Sequence, residues 1–126
     1  MSFTNFLETE ILDHVFAGAA YSAPSQHYLA LFTGAPGETG GGTEVSGGGY
    51  TRKAVNFTTS GATTSNNAAV EFPTATGNYG TVTHVAVFDA ASSGNMMAYA
   101  TLSASKVIET GDVFRVPTGD LDITLN

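Results

Sequence analysis

The chain has 126 residues, enough to bury the core of one domain, and no cysteine, so a disulfide framework and a thiolate metal cage are both excluded. Four Lys+Arg against eleven Asp+Glu give a formal charge of −7, and Arg52–Lys53 is the only adjacent cation pair, which argues against nucleic acid or an anionic membrane as partner. Charged residues are only 12% of the chain while fifteen Gly, eighteen Thr and ten Ser take their place, a composition for extended chain, tight turns and close protein contacts and a poor one for a helical enzyme.

The N-terminal stretch MSFTNFLETEILDHVF has no basic region and carries acids throughout, so it does not read as a secretory signal; synthesis in a cytoplasm is expected. No segment approaches the roughly 18 apolar residues of a membrane helix. Phe3, Leu7, Ile11 and Val15 recur every four residues, and Phe6, Leu12 and Phe16 widen the stripe, which predicts a helix over residues 4–17. Asn5 with Glu8 resembles a capping box, Thr4 is the alternative cap, and Gly18 is the expected stop. The plain reading is a helix covering one end of a β core. The sharper reading is an arm that docks on a neighbouring subunit, because two wide apolar faces on one short helix leave surface to explain.

Beyond it the periodicity changes to that of strands. Residues 27–33 (HYLALFT) form an apolar run bounded by Pro24 and Gly34. Residues 34–49 hold eight glycines and Pro36, so a Gly-rich loop is expected there. Residues 50–57 (YTRKAVNF) resume a strand pattern, with Lys53 near its end, and residues 67–72 place Ala68, Val70 and Phe72 on one face. Residues 81–89 (TVTHVAVFD) are the strongest strand by β-branched content, and a Ser93–Gly94–Asn95 turn leads into a partner over 96–102. Strands over 106–109, 113–116 and 121–125 complete the set. Seven or eight short strands separated by turn chemistry predict a mainly β fold, an antiparallel β-sandwich or jelly roll with one N-terminal α-helix. A single β-sandwich domain over residues 1–126 is expected.

No arrangement for chemistry stands out, and no catalytic, cofactor or metal site is predicted. His14, His27 and His84 fall in no metal-ligand spacing, and each reads as structural, with His84 mid-strand on the Val82, Ala86 and Phe88 face. No serine lies in a G-x-S-x-G elbow. Asp120 and Asp122 share a strand face, and their D-x-D spacing is too weak a signal for a glycosidase pair or a Ca²⁺ site. GETGGGTEVSGGG lacks the lysine and the strand-to-helix setting of a phosphate cradle. With Glu38 and Glu44 as its only charges, this loop reads as a contact element, where glycine lets a neighbour's backbone come close.

The blocks YLALFTGAPGETGGGTEVSGGGYTRKAVNF, NNAAVEFP, YGTVTHVAVFDAASSGNMMAYATL and GDLDITL together resemble a family of small tailed-bacteriophage virion proteins commonly called tail fiber proteins. The resemblance runs from the N-terminal helix through the last strand. It is most specific at Leu29 to Thr33 with Pro36, at GTEVSGGGY and at GTVTHVAVFD. It implies a non-enzymatic structural protein of the virion, with the major capsid protein or tail proteins as partners and no catalytic residues to carry over. Compactness favours a capsid decoration (cement) protein bound outside the head as a homotrimer or similar oligomer. The alternative is a tail-fibre or baseplate component that binds host-surface carbohydrate. Leu7, Ile11, Phe16, Glu38, Glu44 and Tyr50 are the expected protein contacts. For a glycan the aromatic candidates are Tyr21, Tyr50, Tyr79 and Tyr99. Tyr79 in GNYG is the best placed, on a turn its glycines would expose, although a tyrosine folded over a loop is the favoured reading of it.

Overall fold

Leu29, Ala30, Leu31 and Phe32 are four consecutive buried residues, and that run dictates the architecture around it. A strand alternates its side chains between two faces, so four buried in a row must be covered on both. The computed structural model, which describes residues 1–125, has this arrangement. In chain order the elements are β1 (Ser2–Phe3), α1 (Asn5–Phe16), β2 (His27–Gly34), β3 (Thr43–Glu44), β4 (Lys53–Val55) and β5 (Phe57–Ser60). They continue with β6 (Thr63–Asn66), β7 (Val70–Glu71), β8 (Gly80–Phe88), β9 (Met96–Ile108), β10 (Arg115–Val116) and β11 (Asp122–Thr124).

The large sheet runs β1-β9-β8-β2-β3, with β4 also paired to β2; β10 pairs β7, and β11-β6-β5 form a third sheet. Every pairing is antiparallel. Leu29 and Leu31, Val85 and Val87, and Ala98 point from the large sheet into the main core. Val70, Phe72, Phe114, Val116 and Leu121 close that core from the other side. Ala30, Phe32, Ala86, Phe88 and Met96 form a smaller cluster on the sheet's opposite face. The mainly β, sandwich-like expectation is therefore met, with one helix near the N-terminus.

Several details differ from the sequence reading. The strands expected over 96–102 and 106–109 are one thirteen-residue strand, β9. Its pairing with β8 jumps from Val82↔Lys106 to His84↔Thr101, so residues 102–105 stand opposite Thr83 alone. This wide bulge changes which face Val82 serves. Instead of sharing a face with His84 and Ala86, Val82 turns into the main core beside Val85 and Val87. His84 is half-buried and exchanges a 2.8 Å hydrogen bond with the Thr83 hydroxyl.

The capping box does not form either. Thr4 is the N-cap residue but makes no side-chain cap. It is buried, and its hydroxyl donates to the Met96 carbonyl at 2.6 Å, which anchors the helix to the β8–β9 turn. Asn5 is the first helical residue instead. Gly18, at φ +75°, ends the helix as expected, and the Asp13 carbonyl accepts from both Ala17 and Ala19.

Candidate functional site

The helix divides its apolar residues between two surroundings. Leu7 is buried at 8% exposure and Ile11 is half-buried, while Leu12, Val15 and Phe16 stand in solvent, Phe16 at 81%. Spacings of three and four put these last three on one face. The chain that follows is mostly exposed, and residues 15–37 contain no Asp, Glu, Lys or Arg. The Tyr21 amide donates to Nδ1 of His14 at 3.1 Å, which folds this uncharged linker back against the helix end. Of the predicted helix contacts, Phe16 is free and Leu7 is not, because α1 packs its first turns on the edge of the large sheet.

Glu44 and Tyr50, expected to face a neighbour, are engaged within the chain. Tyr50 donates its phenol hydrogen to Glu44 at 2.6 Å. Arg52 donates to both Glu44 oxygens, through Nε at 2.9 Å and Nη2 at 2.9 Å. Its Nη1 donates to the carbonyls of Ala90 at 3.0 Å and Ser93 at 2.8 Å, and its guanidinium lies 3.6 Å above the Phe88 ring. The Arg52 side chain is 7% exposed. Burial pushes the Glu44 carboxyl upward, but the hydrogen bonds from Arg52 and Tyr50 and the Arg52 charge outweigh it and hold the group below its ordinary value. Burial, followed by the bond to Glu44, drives the Tyr50 phenol far above its ordinary value. The corner closes a carboxylate, a phenol and a guanidinium on one another and leaves none of them to act on a substrate. Glu38 accepts from the Tyr99 hydroxyl at 2.6 Å, at the exposed surface beside the start of α1.

The glycines of residues 34–49 do permit a close approach, but to this chain's own backbone. A Cβ on Gly42, at φ +86°, would lie 2.6 Å from the Gly34 carbonyl oxygen. On Gly48, at φ +60°, it would lie 2.6 Å from that of Gly77. Most of the stretch is irregular as predicted, but Thr43 and Glu44 pair with β2 as β3.

Of the two readings of Tyr79, the exposed glycan contact is the one the structure does not show. Tyr79 is 5% exposed, donates to the Pro73 carbonyl at 3.0 Å and meets Tyr50 edge-on at 5.7 Å, so it is the tyrosine folded over a loop. A different feature offers a concave surface, and sequence reasoning missed it. Between the β9 bulge and residues 114–122 lies a cleft of about 380 Å³, with Lys106, Arg115, Asp120 and Asp122 among its lining residues. Asp122 already accepts a hydrogen bond from the Ser65 hydroxyl. The signal for this cleft is a non-local register jump, and no local spacing encodes it.

The sequence model of a family described as "Podophage GP4 fiber I protein gp80" matches residues 2–124. No curated protein matches the chain.

Proposed function

The chain belongs to this family of podophage fibre proteins, and from that premise we propose that it is a non-enzymatic, single-domain fibre component that joins other virion proteins through its helix end and meets the host surface at the opposite end. It is a tail-fibre-type structural protein and a constituent of the virion. The assembly half of the reading rests on the uncharged strip formed by Leu12, Val15 and Phe16 with the linker after them. Copies carrying −7 repel one another. They meet at least cost where no charge is desolvated, and residues 15–37 are the longest of several stretches free of charged side chains. A homotrimer would repeat that contact three times around its axis.

Thr4 fixes the helix at the Met96 end of the β8–β9 hairpin. The Val82 and Lys106 end lies six residues along β8, about 20 Å away at the rise of a strand. The Lys106 side of the cleft can therefore stay open while the helix end is covered, with Met1, three residues before Thr4, lining the cleft's nearer side. A place on the capsid as a cement protein is the weaker reading, because it rested on compactness alone while the family description names a fibre. Phe16 and Ile11 remain contact residues in this proposal. Leu7, Glu44 and Tyr50 do not, being engaged inside the chain.

Light scattering coupled to size exclusion tests the assembly half. The wild type is expected as a trimer, and Phe16→Glu as a monomer with unchanged far-ultraviolet circular dichroism, since an exposed Phe contributes little to the fold. A trimer indifferent to Phe16→Glu, or a wild-type monomer, rejects the strip as the interface. Immunogold labelling confined to heads of intact particles would reject the fibre placement.

A further inference from the structure

The four Lys+Arg of this acidic chain are unevenly placed. Arg52 is buried against Glu44, and Lys53 begins β4. The other two, Lys106 and Arg115, line the same cleft. Among the described residues, the carboxylate within reach of Arg115 is Glu71 at 3.9 Å, with both side chains more than half exposed, so this contact barely holds the guanidinium. Lys106 has no ion-pair partner among the described residues. The cleft itself exists because β9 leaves the sheet at residues 102–105, the kind of bulge that redirects side chains beside a site.

We propose that this cleft binds a saccharide unit carrying a carboxylate, and the proposal rests on the host-facing half of the function above. Each class of lining group matches one part of such a ligand. Lys106 and Arg115 take the carboxylate through charge-assisted hydrogen bonds. Asp120 and Asp122 accept from sugar hydroxyls, as Asp122 already does from Ser65. Met1 and Leu102, both partly exposed, give an apolar surface for the C–H face of the ring. The two aspartates also discriminate, because they repel a phosphate or another multiply charged anion while tolerating one negative charge held by two cations. A volume of about 380 Å³ falls within the range of small-ligand sites and suits one or two sugar units.

The test is a titration of the ¹⁵N-labelled full chain, followed by NMR, with oligogalacturonate and with the corresponding neutral galactan oligosaccharide. Free 3-deoxy-octulosonic acid is titrated in parallel, to separate an acidic sugar internal to a polysaccharide from one of a lipid-linked core. An acidic probe is expected to shift amides at 101–106 and 114–122 and to bind at least tenfold more tightly than the neutral one. Lys106→Ala, at an exposed position, should weaken binding about tenfold, as should added salt. Lys53→Ala, outside the cleft, should leave binding unchanged. Equal binding of acidic and neutral probes, shifts confined elsewhere, no binding at all, or an indifferent Lys106→Ala overturns the proposal. A trimer that binds no acidic sugar removes the cleft and leaves the assembly standing. A monomer that binds it removes the assembly and leaves the cleft.

Discussion

The large sheet and the β5-β6-β11 sheet are made of opposite materials. In the first, β2, β8 and β9 carry Leu, Val, Ala, Phe and Met on both faces, with a core cluster on each side. In the second, the rungs read Thr58–Ser65–Asp122, Thr59–Thr64–Ile123 and Ser60–Thr63–Thr124. Phe57 and Ile123 pack inward. The outward face therefore carries only hydroxyls and one carboxylate, joined by bonds such as Thr63 to Thr124 at 2.9 Å. Apolar burial holds the first sheet, at roughly 25 cal/mol per Å² removed from water. The second depends on β-branched stiffness, cross-strand hydroxyl pairs and a two-residue turn in which Gly61 sits at φ +61°. Strand structure thus persists from the core to the rim while its stabilisation falls away.

The sharpest way to break this contrast is at Arg52, where the outer face of the large sheet is closed by a buried cation instead of by aliphatic packing. Arg52→Ala leaves the half-buried Glu44 without its partner and strips the donors from Ala90 and Ser93, within a turn where Ser93 holds φ +53°. Removing one member of a fully buried pair typically costs about 3–5 kcal/mol; with the Glu44 side chain 26% exposed, a smaller loss of about 2–3 kcal/mol is expected in chemical denaturation. Arg52→Lys should recover little of it, because one ammonium cannot reproduce the two-pronged contact. A loss below about 1 kcal/mol would mean that burial alone holds the large sheet.

Acid should expose the same corner more gently. The folded-state pKa of Glu44 lies below its ordinary value of 4.5, so its contribution is present above that pH and is lost as pH falls through the folded value. Wild-type stability should accordingly fall as acidification passes below about pH 4.5. Glu44→Gln should be less stable at pH 7 and show a shallower decline in acid. Parallel acid limbs for the two proteins would remove Glu44 as the titrating group.

The same contrast explains what was legible in the sequence. Strands whose residues are buried on both faces announce themselves, as HYLALFT and HVAVF do, because burial selects apolar residues locally. The β5–β6 hairpin was missed beyond Phe57, because TTSGATTSN offers no apolar alternation to read. Val82 was assigned to the wrong face because strand parity fails at a bulge whose extra residues lie twenty positions further along the chain. At the helix, the periodic stripe was visible but not which part of it the sheet would cover, so of the two expected contacts Leu7 is buried and Phe16 stays free. Glu44 stood in the glycine loop and read as a contact to a neighbour, because no local spacing shows that folding closes Arg52, eight residues on, against it.

The smallest expected effect tests the rim. Ser65, half-buried on β6, donates to the exposed Asp122 on β11, and Ser65→Ala deletes that bond without opening a large cavity. Water can replace the lost partner of Asp122 at an exposed site, so the cost should be about 0.5–1 kcal/mol, well under that of Arg52→Ala. Native-state hydrogen exchange reads more than the magnitude. If the rim is a separately opening unit, exchange in Ser65→Ala should accelerate at amides of β5, β6 and β11 while those of β2 and β8 keep their protection. Uniform acceleration across both sheets would mean that they open as one, and the contrast would then be one of composition without a contrast in stability.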